Sequence, residues 1–574
     1  MVSVQSTAAL DLPSVTAEKQ RLRIGVLLDS LTVPLWAHRV LTRIDESDVA
    51  ELALIVLMNR KVHCGSAALF RWWRRIDEHL FRQRCMAREA FQPAVFSPHG
   101  RPEWLACVPA EAEDTFSFSA ADLENITQAE IDVLLHLGRG VPANGIGECT
   151  RYGVWRFGDD RDTSASLFWT LYEDGTEVEN ELNILTSTGK NERMLCSRIA
   201  ADHVSFFRNH SNACWKRPEL VVHCLAELQR HGSPGKQELL EPPAVPAGSA
   251  QPRNRDVVRL FPRLASRAIR DEVRKRFLRE QWFVAFRKSP AHAQAERWDD
   301  HVTILWPPRD RFYADPFVID RDGKSYMFFE DFSFRQGKAV ISFVELEAGN
   351  CTQPEVALEE DYHLSFPCVF EWQDEIYMLP ETKGNRSIQV YRATDFPRLW
   401  QLDTVLMSGV SAVDSTLLHR EGRWWLFTSG LGTSDPWFDG DSELRLFFAE
   451  ELSGPWMAHP RNPIVTDVCR GRSAGRFFHL EDQLIRPAQD CSAVYGYAVS
   501  LNRVEVLSET DYHEVPVGAI SREWVSDNRG THTYNRSPRY EVLDGRRLVG
   551  RLSHGTVHPS LETIKTTAAL IRQI

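Results

Sequence analysis

The sequence contains no run of about 18 apolar residues, so it predicts no membrane-spanning helix. A net charge of −12 leaves no overall basic footprint, which argues against a nucleic-acid partner. The 11 cysteines are scattered without a CxxC pair or zinc-ligand spacing, and we interpret them as reduced, buried thiols. The first 20 residues have neither a basic start nor a continuous apolar core, so they predict no signal peptide. Together these absences predict a cytoplasmic protein.

Length and composition indicate a globular protein of several domains. At about 100–200 residues per domain, the 574 residues accommodate several cores, and 43% hydrophobic with 25% charged residues is a typical globular composition. We predict a multidomain chain with an N-terminal α/β part and a C-terminal all-β part. The predicted segments are a flexible tail over 1–20, an α/β domain over 21–231, a linker over 232–252, a basic helical connector over 253–295, a five-bladed β-propeller over 296–555 and a C-terminal tail over 556–574.

The N-terminal part has the pattern of a mainly parallel sheet. Residues 22–28 form a continuous apolar run, which is typical of a strand buried on both faces. A helical stretch follows with Pro34 in its first turn, and 52–58 and 131–135 form two more apolar runs. Strands that alternate with helices predict βαβ units.

The segment after the predicted linker is strongly basic. Residues 253–288 hold 12 Lys/Arg against 4 Asp/Glu, and their apolar residues recur at near-helical spacing. Such a helix could make a peripheral contact with an anionic membrane or with phosphate. Alternatively, the helix packs between two domains and its arginines are solvated.

An internal repeat runs through 311–429. Each unit begins with a strand at Asp315, Phe366 or Asp414, continues through a tight turn, and ends in an aromatic-rich strand. Repeats of about 45–51 residues made of short strands indicate propeller blades. Two further hairpins are predicted at 475–485 and at 533–542, the second turning at Asp544-Gly545.

The repeat predicts a convergence of carboxyl groups. Asp315 and Asp414 share one repeat position, and Glu330 and Glu381 share another, so all four point toward the centre of a propeller. Glycoside hydrolysis requires a carboxylic acid for the leaving oxygen and a carboxylate for attack. Alternatively, Glu330 and Glu381 only end strands and cap the neighbouring backbone.

The starts of two repeat units resemble motifs of glycoside hydrolase family 43, a family of five-bladed enzymes. These are Tyr313-Ala314-Asp315-Pro316 and Ala412-Val413-Asp414-Ser415. The resemblance implies that Asp315 is the general base and that Asp414 orients and tunes the acid. Ala474 stands where the family carries its general acid, so the candidates for that role are Glu330, Glu381 and Asp490.

A closer resemblance is to the propeller domain at the N-terminus of plant glucosamine inositolphosphorylceramide transferases and their bacterial relatives. It covers roughly 300–550. The matching stretches are Phe312 to Asp331, Phe366 to Glu381, Val413 to Phe427, Arg486 to Ser492, Asn502 to Val504 and Thr531 to Arg536.

Polar residues within these stretches are the candidates for binding substrate. Polar side chains among Trp and Tyr suit a sugar, whose hydroxyls need hydrogen bonds and whose ring face stacks on an apolar surface. His532 alternatively has a structural role beside a central ion or water cluster. No metal ligand or cofactor is assigned, and a structural ion in the channel remains open. The predicted substrate-binding residues are Arg486, Gln489, His532 and Asn535.

The N-terminal part resembles the formyltransferase fold in Ile24 to Leu31, Asp132 to Gly138 and the turn Tyr152-Gly153-Val154-Trp155. The resemblance implies catalysis by an Asn, a His and an Asp. This sequence has Arg156 to Asp160 after the turn and no His, which indicates a degenerate domain. Asn144 and Asp159 or Asp160 remain nearby.

The sequence thus predicts a carbohydrate-active enzyme that transfers or cleaves a glycosyl unit during glycan, polysaccharide or glycoconjugate assembly. One alternative is a non-catalytic glycan-binding protein, and another is a formyltransferase that acts on an amino sugar. Asp439-Gly440-Asp441 also matches the DxD motif of metal-dependent glycosyltransferases, but three residues in such a turn match by chance.

Overall fold

A computed structural model gives the structure of most of the chain. It describes residues 21–58, 60, 68–82, 90–112, 115–138, 140–143, 145–158, 160–186, 191–232, 251–289, 302–347, 349–430 and 443–551. Several predicted features lie outside these residues: the tails 1–20 and 556–574, nearly all of the linker, Asn144, Asp159 and the motif Asp439-Gly440-Asp441.

Helices belong mainly to the first half of the described chain. None of the described helices is long and apolar enough to cross a membrane. The α-helices are α1 (Leu35–Asp45), α2 (Ala68–Arg82), α3 (Ala120–Gln128), α4 (Asp160–Glu173), α5 (Phe206–His231) and α6 (Asn254–Phe277), and short 3-10 helices span Ile146–Cys149, Lys383–Asn385 and Arg522–Trp524.

The N-terminal part is built on a seven-stranded sheet. Its last five strands are parallel and its first two pair antiparallel, in agreement with the predicted mainly parallel sheet. Its formyltransferase-like character stays a prediction. Across the sheet the strands are Asn191–Ala200, Glu177–Leu185, Val154–Phe157, Val133–His136, Leu22–Leu28, Ala50–Leu57 and Glu103–Ala106, and two small sheets hold Thr32–Pro34 with Pro93–Val95, and Ala110–Ala112, Thr115–Ser117 and Val141–Pro142.

Both faces of this sheet are covered, as the continuous apolar runs predict. Val26 and Leu28 pack on one face against α1 and α5. Leu27 points to the other face and packs against Ile126 of α3. Alternate residues of one strand therefore serve two cores.

The described residues between 278 and 550 form five antiparallel sheets, each with four or five strands. Sheet I consists of Arg311–Arg321, Lys324–Ser333, Lys338–Glu347, Asn350–Cys351 and Glu355–Leu358; sheet II of Ser365–Trp372, Glu375–Glu381, Ser387–Asp395 and Leu399–Ser408; sheet III of Val413–Arg420, Arg423–Ser429, Glu443–Ala449, Met457–Ala458 and Val465–Thr466; sheet IV of Arg472–Ser473, Phe478–Leu480, Gln483–Asp490, Ala498–Leu507 and Tyr512–Ile520; and sheet V of Tyr534–Arg536, Tyr540–Gly550, Leu278–Lys288 and Thr303–Leu305.

One strand of sheet V lies within the segment 253–295 that the sequence predicted as a helical connector. Helix α6 ends at Phe277, and Leu278–Lys288 pairs antiparallel with Tyr540–Gly550 along its whole length. The helical prediction is wrong from residue 278 because the apolar and aromatic run after Gln281 is that of a buried strand. Sheet V therefore joins both ends of this part of the chain.

The predicted turn at Asp544-Gly545 is also wrong, because both residues lie inside the strand Tyr540–Gly550. A Cβ on Gly545 would come within 2.4 Å of the Phe283 ring, so the glycine is required by close packing rather than by a turn. Asp544 is fully buried beside His532.

The first strands of the five sheets form a ring. Those of sheets I to IV contact one another in order, and that of sheet V contacts the first strand of sheet I. Tyr534 N donates to Ala474 O at 2.8 Å, which joins sheets IV and V. The side chains at the starts of these strands therefore meet at one place.

Candidate active site

A cavity of about 220 Å³ lies inside this ring, and every one of the five sheets contributes to its lining. Four carboxyl groups, two imidazoles, one guanidinium and three aromatic rings face it. The lining residues are Trp282, Phe312, Ala314, Asp315, Glu330, His363, Ser365, Glu381, Asp414, Arg472, Tyr495 and His532.

The same left-handed backbone conformation recurs near the starts of three strands. Asp315, Phe366 and Asp414 have positive φ angles of 52°, 46° and 48°. Each lies where the strand register shifts, in a bulge. A bulge re-aims the side chain at its residue, and here it turns both aspartates into the cavity.

His532 lies between two carboxylates. Its Nε2 is 3.2 Å from Asp315 Oδ1, and its Nδ1 is 2.7 Å from Asp544 Oδ2. Burial alone would lower the pKa of His532, but Asp544 and Asp315 raise it to about 10. The imidazole is therefore a buried cation at neutral pH.

Asp315 is held as an anion by this cation. Thr533 Oγ1 donates to its Oδ1 at 2.8 Å, and Phe366 N donates to its Oδ2 at 3.1 Å. Burial alone would raise the pKa of Asp315, yet the His532 charge and these hydrogen bonds lower it below its usual value.

Asp414 faces a cation and a neighbouring carboxyl group. Arg472 Nε and Gln489 Nε2 donate to its Oδ2, the latter at 2.7 Å, and Asp414 N donates to Glu381 Oε2 at 3.3 Å. Burial raises the pKa of Asp414 despite Arg472, and Asp315 adds to the rise.

The two glutamates have raised pKa values. Burial and the nearby Asp414 charge raise the pKa of Glu381 to about 8. Burial raises that of Glu330 to about 7, although His363 Nε2 lies 3.3 Å from its Oε1. At neutral pH the cavity therefore holds the neutral carboxyl of Glu381 beside the anionic Asp315.

Aromatic rings form one wall. The Trp282 and His532 ring centroids are 4.1 Å apart, and Tyr495 packs edge-on against both rings. Phe312 stacks on Phe332 at 4.7 Å. Flat apolar rings beside carboxyl groups suit a sugar ring, which has one apolar face and polar edges.

The structure places Asp315, Glu330, Glu381, Asp414 and His532 in the lining of the cavity. Their catalytic and binding roles stay predictions. Gln489 lies behind the lining and donates to Asp414 and, at 2.9 Å, to Ser473 O.

Arg486, Asn535 and Asp490 are not among the residues that line the cavity. Arg486 pairs with Glu514 through two contacts of 2.7 Å, and Asn535 Nδ2 donates to Pro316 O at 2.8 Å. Asp490 Oδ1 accepts from Ser492 N at 2.9 Å. These contacts indicate supporting roles in the strands.

Sequence reasoning missed His363, Arg472, Trp282 and Tyr495. His363 and Tyr495 lie in connections outside the repeated strands, and Trp282 lies in the segment predicted as helix. Arg472 begins the fourth sheet, two residues before Ala474. Its closeness to Ala474, where the resemblance places a general acid, is the signal that could have identified it.

One cluster has the composition of a metal site. Asp315, His532 and Asp544 each offer a ligand atom, and these atoms lie within 4.8 Å of one another. Both imidazole nitrogens already face carboxylates, so a proton on His532 accounts for the arrangement. The structural ion in the channel stays a prediction.

Comparisons with known proteins agree with the resemblance found in the strands. Residues 307–554 match the family described as "Glucosamine inositolphosphorylceramide transferase 1, N-terminal". The protein of that name from Oryza sativa subsp. japonica is 36% identical over 241 residues, which cover 41% of this chain and 32% of the rice protein. The Arabidopsis thaliana protein is 35% identical over 213 residues, which cover 36% and 27%.

Among solved structures, Zg3597, a family 117 glycoside hydrolase from Zobellia galactanivorans, is 12% identical, with a TM-score of 0.30 over 50% of this chain and 98% of that one. RS223-Beta-xylosidase is 14% identical, with a TM-score of 0.30 over 37% and 79%. The chain spans about a third of the length of the plant proteins that it matches. The family match over 307–554 includes every residue that lines the cavity except Trp282.

Proposed function

We propose that the five sheets are the blades of a β-propeller whose central cavity acts on a glycosyl bond of a sugar or glycoconjugate. One observation carries this proposal: the carboxyl groups of Asp315 and Glu381 line a single cavity, where burial raises the pKa of Glu381 to about 8 and His532 holds that of Asp315 below its usual value. Cleavage of a glycosyl bond needs this pair, because one group protonates the leaving oxygen and the other balances positive charge or accepts a proton.

Glu381 takes the role of general acid, which the sequence left unassigned at Ala474. Its pKa of about 8 keeps the proton available at neutral pH, and the nearby Asp414 charge helps to hold that proton. Glu330 is less suited, because His363 lies 3.3 Å from it and favours its anionic form.

Asp315 faces the same cavity, and its lowered pKa favours the anionic form. Its charge stabilises the positive character that develops at the anomeric carbon as the bond breaks. His532 and Thr533 hold the carboxylate in place, so it needs no rearrangement during the reaction.

We propose transfer rather than hydrolysis, on the ground that the similar plant proteins are named transferases. The sugar unit and the acceptor named for those proteins are candidates here as well. Aromatic rings beside carboxyl groups support a sugar ring in the cavity.

A panel of nucleotide sugars, glycosides, phosphorylated sugars and a reduced folate tests the proposal on the full chain. A ligand at about 100 times its Kd stabilises the folded state by about 2.7 kcal/mol, which a thermal-shift assay detects. Turnover of each stabilising sugar is then measured for Asp315→Asn, Glu381→Gln and the control Glu375→Gln, which changes an exposed residue of the strand that carries Glu381.

We expect a sugar compound to stabilise the unmodified chain and to be turned over by it. Asp315→Asn and Glu381→Gln should lose this turnover, and Glu375→Gln should keep it. Stabilisation by folate alone would contradict the proposal and would favour formyl transfer by the N-terminal part.

A second candidate is glycan binding without turnover. The contacts of Asp315 with Thr533, Phe366 N and His532 favour it, because they occupy three of the four lone pairs of the carboxylate and stabilise its anionic form, which makes it a weaker base. Stabilisation by a sugar that no variant converts, the unmodified chain included, would establish this alternative.

A further inference from the structure

Helix α6 has two faces of opposite character. Its inner face is buried through Asp256, Val257, Leu260 and Arg267, and the two apolar residues pack with α2, α4 and α5. Its outer face exposes large apolar side chains, which is unusual for a surface helix. They are Val258, Phe261, Ile269, Val273 and Phe277, exposed by between 38% and 61%.

These side chains form one stripe, because successive residues of a helix turn by about 100°. Trp72 of α2 extends the stripe sideways: it is 53% exposed, and its ring lies 6.4 Å from that of Phe261. We call this set of six side chains the apolar stripe. Several large exposed apolar side chains on one face of a helix indicate an interaction surface.

Positive charge flanks the apolar stripe. Helix α6 holds eight Lys/Arg against three Asp/Glu, a balance of +5. Arg263 and Arg267 turn inward and donate to Tyr172 O and Leu171 O, at 2.8 and 2.6 Å. Arg259, Arg270 and Arg276 are exposed and make no ion pair with the residues that the structure describes.

We propose that the apolar stripe and its flanking arginines bind the surface of an anionic lipid bilayer. The apolar side chains enter the boundary between headgroups and acyl chains, and the guanidinium groups pair with lipid phosphates. The chain carries −12 and α6 carries +5, so the remainder carries −17. An anionic bilayer repels that remainder and therefore orients the molecule with α6 toward the lipid.

Sedimentation with vesicles tests this inference on the full chain. The vesicles are phosphatidylcholine alone or phosphatidylcholine with 30% phosphatidylserine. Val258→Ser/Ile269→Ser removes part of the apolar stripe, and Val356→Ser/Val517→Ser is its control, since those valines are also about half exposed but lie in sheets I and IV. Arg259→Gln/Arg270→Gln removes charge, with Arg335→Gln/Arg420→Gln as its control.

We expect binding to the anionic vesicles only, weakened about tenfold by the serine pair and about thirtyfold by the glutamine pair, with both controls unchanged. Unaltered thermal unfolding of the variants shows that folding is intact. An unmodified chain that stays in the supernatant with anionic vesicles overturns the inference. A dimer in sedimentation velocity that the serine pair dissociates also overturns it and assigns the face to a second copy.

Discussion

At the scale of single residues, the buried charges of the cavity balance one another. His532 carries a proton between Asp315 and Asp544, which lets Asp315 stay ionised although it is buried. Asp414 pairs with Arg472, and its charge favours the protonated form of Glu381. The carboxyl groups of Asp315 and Glu381 thus differ in protonation because their neighbours differ.

Replacement of Asp544 by Asn should destabilise the protein by about 3 kcal/mol at pH 6, because His532 then loses one of its two counter-charges in a buried site. Asn keeps an oxygen that accepts from His532 N and Thr533 N. Chemical denaturation followed by tryptophan fluorescence measures the difference.

The difference should depend on pH. The folded-state pKa of His532, about 10, lies above the ordinary value of 6.5, so its contribution is complete below pH 6.5 and is lost as the pH rises through 10. The unmodified protein and Asp544→Asn should therefore converge above pH 10. An equal difference at pH 6 and pH 10.5 would show that the charge on His532 is not the cause.

The repeat in the sequence was sufficient to predict Asp315, Asp414, Glu330 and Glu381, because equivalent positions in repeated strands converge. It could not predict Arg472 or His363, since each occurs once and depends on long-range packing. Arg486 was predicted to bind substrate, but it pairs with Glu514 and is not among the residues that line the cavity, because a polar residue in apolar surroundings can equally satisfy a buried partner.

At the scale of strands and turns, bulges place the catalytic candidates. Asp315 and Asp414 occupy left-handed backbone at the same point of two sheets, and Phe366 does so in the sheet between them. The sequence predicted the strands but not the bulges: aspartate tolerates left-handed backbone yet is common in other conformations, and Phe366 is of a type that is rarely left-handed.

In sheet IV, Gly475 has a positive φ angle shortly after the first strand. Its φ of 149° and its close approach to Tyr534 O, 2.1 Å from an added Cβ, exclude any side chain. Gly475→Ala should therefore destabilise the protein by about 3 kcal/mol, through overpacking and backbone strain.

Gly518→Ala is the matched control, since nothing lies within 4 Å of an added Cβ there. Differential scanning calorimetry of both variants should show a lower Tm for Gly475→Ala alone. Equal Tm values would contradict the assigned packing between sheets IV and V.

At the scale of the whole molecule, ion pairs with buried acidic partners join the N-terminal part to the sheets. Arg461 contacts both oxygens of Glu227 on α5, at 2.9 and 2.8 Å. Arg198 donates to Asp467 at 2.8 Å, and Lys216 Nζ lies 3.3 Å from Glu443. The two parts therefore share an interface that is polar and specific in its pairing.

Arg461→Met should weaken this interface by about 2–3 kcal/mol, because it leaves the buried Glu227 carboxylate with fewer counter-charges. Arg423→Met is the control: that side chain is about as exposed, but its partners Glu450 and Glu509 lie at the surface, where such pairs contribute roughly 0–1 kcal/mol. Calorimetry should show the N-terminal part and the five sheets unfolding in separate transitions for Arg461→Met only. A single unchanged transition would contradict the role of the pair.

The sequence did not predict how sheet V closes the ring of sheets. This closure pairs Leu278–Lys288 with Tyr540–Gly550, and so joins strands more than 250 residues apart. Local periodicity carries no information on such a pairing, and the basic residues before residue 278 favoured a longer helix. The mainly parallel N-terminal sheet was predictable because its apolar runs report burial on both faces.

The pH dependence of sugar turnover, measured for the unmodified chain, Glu381→Gln and Glu375→Gln, tests the central claim most directly. The account predicts that the rate falls above pH 8 as Glu381 loses its proton. It predicts a loss of about 100- to 10,000-fold in Glu381→Gln, without that alkaline fall, and an unchanged profile in Glu375→Gln. An undiminished rate in Glu381→Gln, or the same alkaline fall in that variant, would contradict Glu381 as the proton donor.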